Sequence, residues 1–579
     1  MARTDKKTIA AGSPNNLGWR ELIQAPGEAH ENQIPIGKVL AVLGHFSDLH
    51  VCDPESPSRI EYLDRLSDPD SKWRDEVGYI GTYRAQEILT TQVVAAMVDA
   101  VNEIKNGPLT NAPIEAVVVT GDMTDNAQQN ETSWYISALN GGKVQPTSGN
   151  INKSEWVGSH NVEYDISYWH PDGAPEGNEL DRPIAKFGFP VIKGLVDKAR
   201  SAFNSSGLSV PWFATFGNHD QLLQGTVAPN QELLDLSIGD KRVTKLPEDF
   251  FDPNLILPAI AEIGPANYLD TKDFASSTIS ADKMRAFNSP GTFAKAHISA
   301  GGNPVGHGFT NENVENNTAY WIHDLENIRL ISIDTVNPHG GWQGSIDEKQ
   351  LIWIREKLLE AQNKYCVLLS HHPSPTLVND YAPENAPRRV IRDELLKELY
   401  QHKNLIAWIA GHVHRHASGI HTREDGSTFL EFTTASHIDW PQQSRVLEIV
   451  KEENAIAIAS TVIDHAGHVH RHASGIHTRE DGSTFLEFTT ASHIDWPQQS
   501  RVLEIVKEEN AIAIASTVID HAGHLDWQGK DLDYLTMAGI SRVLSLNDWQ
   551  RRDDFNPVLA RQGNKEDRNV VWRVSDPFS

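Results

Sequence analysis

The sequence predicts an α/β fold whose site lies along the carboxyl edge of its strands. Short apolar runs rich in β-branched residues alternate with stripes of helical period, as in strands joined by helices. Five of the runs end in His, Asp or Asn, residue types that bind divalent metals. One of these, 405–410, ends in Gly411-His412-Val413-His414. Two imidazoles at i and i+2 reach one site only if the chain turns there.

Taken in order, a buried strand over 39–47 terminates in Asp48-Leu49-His50. Ala85, Leu89, Val93, Met97 and Val101 then share one helical stripe, so a helix returns along the sheet. A strand over 114–120 ends in Gly121-Asp122, followed by Met123-Thr124-Asp125-Asn126. Residues 127–188 show no sustained period and read as a long insertion over the site. A short helix near 191–203 precedes a strand over 210–216 that delivers Gly217-Asn218-His219-Asp220. A second insertion, 221–318, is full of turn formers. Then come a strand over 328–333 and a helix over 346–362 opened by a capping box of Ser345 and Glu348, with Leu351, Ile354 and Leu358 as its buried stripe. A strand over 365–370 leads to His371-His372-Pro373, and a helix over 390–400 leads to the 405–410 strand. Beyond Gly411 the pattern is of hairpins, 418–423 with 428–434 and 445–451 with 455–463.

Residues 411–466 recur letter for letter as 467–522, so the chain carries the Gly-His-Val-His ending twice, the second time at His468 and His470. Solenoid units share a pattern but differ in letters, so two identical copies point to a recent in-frame duplication or a sequence-assembly artefact and not to a repeat architecture. The first copy follows the 405–410 strand directly and is expected to supply the site, while the later hairpin strands can come from either copy. Surplus strands leave unpaired edges, which predicts a less stable protein than a version lacking 56 residues.

The strand-end residues suit phosphoester hydrolysis. That chemistry needs a nucleophile at neutral pH and positive charge at the phosphoryl oxygens, and a pair of divalent ions supplies both. Asp48, His50, Asp122, Asn218, His371, His412 and His414 form the mixed ligand set such ions need.

Read together and in this order, Asp-x-His, Gly-Asp, Gly-Asn-His-Asp, His and Gly-His-x-His resemble the signature of the calcineurin-like metallophosphoesterase superfamily. The resemblance implies a four-layer α/β/β/α sandwich of two mixed sheets with two divalent metal ions, manganese, iron or zinc. It places Asp48, His50 and His414 on one ion, Asn218, His371 and His412 on the other, and Asp122 as the bridge. His219 matches the non-ligating His that assists the leaving oxygen, oriented by a carboxylate such as Asp48 or Asp220. Asn126, the Tyr168-Trp169-His170-Pro171 stretch and Ser436-His437-Ile438-Asp439-Trp440-Pro441 look like a long-insert bacterial branch. Asn126, His372 and His437 are its substrate-proximal candidates, with His372 also an alternative ligand to His371. The tyrosine that purple acid phosphatases place three residues after the bridging Asp is Asp125 here, which disfavours a tyrosinate–iron site.

The expected organisation is a tail over 1–36, a metallophosphoesterase domain over 37–466, the duplicate over 467–522 and a C-terminal extension over 523–579. The expected substrate is a phosphomonoester or phosphodiester; the alternative is a non-catalytic metal-stabilised interaction module. A nuclease is disfavoured by 51 Lys+Arg against 78 Asp+Glu, a net charge of −27 that repels nucleic acid. Two cysteines, Cys52 and Cys366, cannot build a disulfide framework. With no signal segment visible and no membrane-length apolar run, the expected location is cytoplasmic, although related proteins of this branch often carry a twin-arginine signal.

Overall fold

The computed structural model describes residues 3–28, 30, 37–77, 82–247, 261–266, 270–453, 456–464, 473–478, 484–489, 499–507, 510–551, 563–564 and 567–578; from 453 to 511, and at 515 and 551, it describes backbone alone. His468 and His470 lie outside the described residues.

Lys7–Ala11 (β1) and Leu22–Pro26 (β2) pair as an antiparallel hairpin in the stretch whose composition predicts a tail. Its anchor comes from far along the chain: Ile9 packs with Trp440 and Leu546, and the amide of Arg20 donates to Asn547 Oδ1 at 2.8 Å. Gly37–Phe46 (β3) begins the first large sheet. Thr90–Ile104 (α1) carries the chain back to Ala116–Thr120 (β4), which lies parallel to β3. Gln129–Asn140 (α2) then leads, after a long excursion, to Trp212–Thr215 (β5), parallel to β4. α2 sits inside the 127–188 stretch. It buries Trp134, Tyr135, Ile136, Ala138 and Leu139, so its apolar residues do not fall on one narrow stripe and the period is hidden.

Trp321–Asp324 (β6) and Ile328–Ser332 (β7) open the second sheet. Glu348–Glu360 (α3) follows, capped by the Asp347 carboxylate, which accepts from the Gln350 amide at 2.8 Å. Ser345 lies outside the helix and receives Arg389 Nε instead, so the capping box is replaced by a single Asp cap. Tyr365–Leu369 (β8), Arg392–Leu399 (α4), Leu405–Ala410 (β9), Ala417–Thr422 (β10) and Thr428–Thr433 (β11) complete this half. The sheet order is β6-β7-β8-β9-β11-β10, parallel through its four central strands and antiparallel at both edges.

The two sheets face each other across one core in which Leu43, Val118 and Phe213 pack with Val367, Ile406 and Leu430. Helices α1 and α2 cover the outer side of the first sheet, and α3 and α4 cover the second through Ile354, Leu358, Leu395 and Leu399 packed with Leu368 and Trp408. The result is the four-layer α/β/β/α arrangement.

The duplicated segment resolves in an unusual way. Gln443–Glu453 (β12), from the first copy, returns to the first sheet antiparallel to β3. Its hairpin partner is not Ile456–Asp464 (β13), the next strand, but Asn510–Asp520 (β17) from the second copy. Between them, Ala473–Thr478 (β14) pairs with Thr484–Thr489 (β15), and β13 pairs with Gln499–Lys507 (β16). β17 continues into Tyr534–Leu546 (α5), which packs on α1, and into Val570–Ser575 (β18), which closes the sheet as β18-β17-β12-β3-β4-β5. Connectivity explains the choice. β12 is held by the chain before it and β17 by the chain after it, so the outer strands remain in the sheet and the inner two are extruded as a separate pair. Stretching a tight turn to about sixty residues costs only about 2–3 kcal/mol by the logarithmic loop law.

Candidate metal centre

The strand ends bring the candidates together by an unusual backbone. Asp48, His50, Asp122, His412 and His414 all have positive φ, between 44° and 69°. A left-handed conformation costs a non-glycine residue about 1–2 kcal/mol, and such strain clusters at functional sites. Here it produces the turn that aims alternate residues inward. Two glycines permit the close packing: a Cβ on Gly411 would strike Ser47 Oγ and Asp48, and one on Gly217 would strike the amide and carboxylate of Asp122.

Asp48, His50 and His414 form one cluster. His50 Nε2 lies 3.1 Å from His414 Nε2, which is 3.4 Å from Asp48 Oδ1. The second cluster is built on His371, whose Nε2 lies 3.3 Å from His412 Nδ1. Asp122 stands between them, its Oδ2 3.1 Å from His371 Nε2 and 3.7 Å from His50 Nε2. Asn218 donates from Nδ2 to the Gly225 carbonyl at 3.0 Å, which turns its Oδ1 the other way. That oxygen is buried without a hydrogen-bond partner among the described residues. Facing imidazole nitrogens, buried carboxylates and an orphaned amide oxygen are what two divalent cations would satisfy, so this donor set fits the metals.

Charge follows the same geometry. Burial pushes the Asp122 carboxyl up, but His371, His219 and His50 outweigh it and hold the group well below the usual carboxylate range. Burial pulls His371 and His414 down, yet their carboxylate neighbours raise both to about 9. His412 is held well below its ordinary value by burial and by the adjacent His372 and His371.

The remaining candidates are placed as follows. His219 Nδ1 lies 2.6 Å from the Asp125 carbonyl, and its ring sits edge-on to His50 at 4.6 Å. The group orienting His219 is therefore a backbone carbonyl, where a carboxylate was expected. Asp220 instead ties loops together, accepting from the amides of Met123 and Thr124 and from Gly217; burial and Asp122 push its carboxyl to about 7. His372 has both nitrogens engaged, Nδ1 with Thr335 Oγ1 at 2.8 Å and Nε2 with the Trp342 carbonyl at 3.1 Å. Asn126 donates to Ser58 Oγ and accepts from the Gln224 amide, both at 2.8 Å. His437 donates its amide to the Asp48 carbonyl and contacts Ser444 Oγ through Nε2.

Two carboxylates that the motif reading leaves without a role support the ligands from behind. Asp125 Oδ1 is 3.0 Å from His50 Nδ1, with Arg59 on its other oxygen at 2.6 Å. Asp439 Oδ2 is 2.6 Å from His414 Nδ1. Their positions, three residues past Asp122 and inside the Ser436–Pro441 stretch, were visible in the sequence, but which ring each one meets is a tertiary fact. Cys52 and Cys366 are both buried and unpaired. No helix among the described residues is long and apolar enough to cross a membrane.

A curated relative from Rhodococcus erythropolis, a probable cyclic nucleotide phosphodiesterase, is 30% identical over 93 residues, which is 16% of this chain and 30% of that protein. A solved dimetal phosphatase from Danio rerio aligns at 12% identity and a TM-score of 0.29, covering 71% of this chain and 96% of its own. Residues 172–416, from within the first insertion through the first Gly-His-Val-His, match the calcineurin-like phosphoesterase family. The Asp48–His50 and Asp122 motifs upstream of that match converge on the same centre as its Asn218, His371, His412 and His414.

Proposed function

We propose that this chain is a metal-dependent phosphoric ester hydrolase with a dinuclear centre. The observation that carries the reading is Asp122, whose one carboxylate oxygen approaches histidines of both clusters. In it Asp48, His50 and His414 would hold one cation, Asn218, His371 and His412 the other, and Asp122 would serve both. Two such ions supply an acidified water and positive charge at the phosphoryl oxygens. The chain's own residues do the rest. With Nδ1 fixed on the Asp125 carbonyl, His219 keeps Nε2 for the substrate and serves as the acid that protonates the departing alkoxide. Asp220 acts by position, joining the Asp122 and Asn218 loops through the amides it accepts. Asn126 and His372 are committed to internal hydrogen bonds, which favours supporting roles for them over substrate contact, while His437 bonds Ser444 Oγ through Nε2 and keeps a buried Nδ1 without a partner among the described residues.

The named relative favours a phosphodiester as the first substrate to try, with monoesters as the second arm. The test is metal analysis with hydrolysis of chromogenic mono- and diesters by wild type, His219→Ala and Asp122→Ala. His219→Ala should keep its metals and lose about 10²–10⁴-fold in rate; Asp122→Ala should lose metal and activity together. Full activity in Asp122→Ala overturns the reading.

A further inference from the structure

We infer that the loop Ser436–Gln442 is the element that sets the affinity of one cation site, with Asp439 as the positioning residue of His414. The inference rests on the dinuclear reading above. Its basis is that one loop grips two members of the same cluster at once. Asp439, 4% exposed, meets His414 Nδ1 at 2.6 Å. Two residues earlier, the His437 amide donates to the Asp48 carbonyl at 3.1 Å. The grip is itself braced. The Asp439 amide donates to Ser436 Oγ at 3.1 Å, Gln86 Nε2 donates to the Ile438 carbonyl at 3.2 Å, and Arg84 Nε lies 3.5 Å from the second Asp439 oxygen. Trp440 is buried with Ile9 and Leu546, which pins the loop to the N-terminal hairpin and to the end of α5.

A carboxylate on Nδ1 fixes the tautomer of an imidazole, leaving Nε2 as the donor atom, and it fixes the ring plane as well. For His414 that aims Nε2 at His50 Nε2 and Asp48 Oδ1. The other cluster is supported differently, since His371 Nδ1 rests on the Thr120 carbonyl at 2.8 Å and no residue of the 436–442 loop is bonded to it. Removing the Asp439 charge should therefore weaken one site and spare the other. Asp439 does not touch the reacting atoms, because the His414 ring stands between it and the site.

The experiment uses the full chain, stripped by chelation and titrated calorimetrically with Mn²⁺, comparing wild type, Asp439→Asn and Asp439→Ala, with melting of each metal-free protein alongside. The asparagine variant keeps the shape of the loop if the alanine variant fails to fold. The expected result is two sites in wild type and, in Asp439→Asn, one of them weakened by about 10–100-fold with the other unchanged and the metal-free melting temperature held. Two sites at wild-type affinity in Asp439→Asn overturn the inference. So does equal weakening of both sites with a lowered metal-free melting temperature, which marks Asp439 as a general structural residue. The functional reading fails separately: two tightly bound cations in wild type without hydrolysis of any ester leave this inference standing, and a wild type that binds no cation removes both.

Discussion

Asn218 is buried with its amide nitrogen on the Gly225 carbonyl and its oxygen without a partner among the described residues, an arrangement that costs about 1–3 kcal/mol in the metal-free protein. Asn218→Ala should therefore weaken metal binding while changing metal-free stability by less than about 1 kcal/mol, because the lost Gly225 contact is offset by removal of the orphaned oxygen. A fall of several kcal/mol in denaturant melts would show that the oxygen has a partner. Glu131 offers a pH test away from the ligands. Burial and the nearby Asp125 push its carboxyl from 4.5 to about 8, while it accepts from the amides of Asp53 and Asn126. The folded form thus keeps a proton that the unfolded chain releases, so the stabilising contribution is full below about pH 4.5 and is lost as pH rises through about 8. Melting temperatures taken from pH 5 to 8.5 should fall more steeply for wild type than for Glu131→Gln; parallel profiles would contradict this.

At the level of elements, the strand β9 carries the site most directly, since Leu405–Ala410 is buried along its whole length and ends at Gly411. Trp408 packs among the α3 and α4 side chains and donates Nε1 to Ser370 Oγ at 2.7 Å, one residue before His371. Trp408→Ala should cost about 3–5 kcal/mol in denaturant unfolding and weaken metal binding as well; an intact melting curve would contradict the packing described. This is also where the sequence was most legible. Apolar runs bounded by Gly-Asp, Gly-Asn-His and Gly-His-Val-His mark buried strands and their ends without any tertiary information. The left-handed φ at Asp48, His50, Asp122, His412 and His414 was not legible, because Asp and His are enriched there only against a low background and the packed site is what imposes it. Helix α2 was hidden because its residues are buried nearly all round, and the β1–β2 hairpin because its partners Trp440 and Leu546 lie at the other end of the chain. The spacing of Ser345 and Glu348 pointed to a capping box for α3, and only the observed backbone puts Asp347 at the cap.

For the whole molecule, the duplication is accommodated as an insertion in one hairpin turn, between β12 and β17. The same letters occur in β13 and β16, which pair in the register that β12 and β17 use, Asp464 opposite Gln499 as Asp520 is opposite Gln443. Sequence alone leaves these pairings equivalent; the attachment of α5 and β18 to the second copy decides between them. Deleting residues 454–509 joins Glu453 to Asn510, regenerates a single copy and leaves every strand of both large sheets in place. That shorter protein should bind metal as the full chain does and melt at a higher temperature; an equal or lower one would contradict the prediction. Loss of metal binding or a markedly lower melting temperature on deletion would mean that the inserted strands contribute to the site or the core.

The central claim is that residues from both sheets converge on a pair of cations that share one carboxylate. Anomalous diffraction from crystals grown with Mn²⁺ tests it most directly. The geometry predicts two neighbouring peaks on either side of Asp122, one beside Asp48, His50 and His414 and the other beside Asn218, His371 and His412. A single peak, or peaks remote from Asp122, would contradict it.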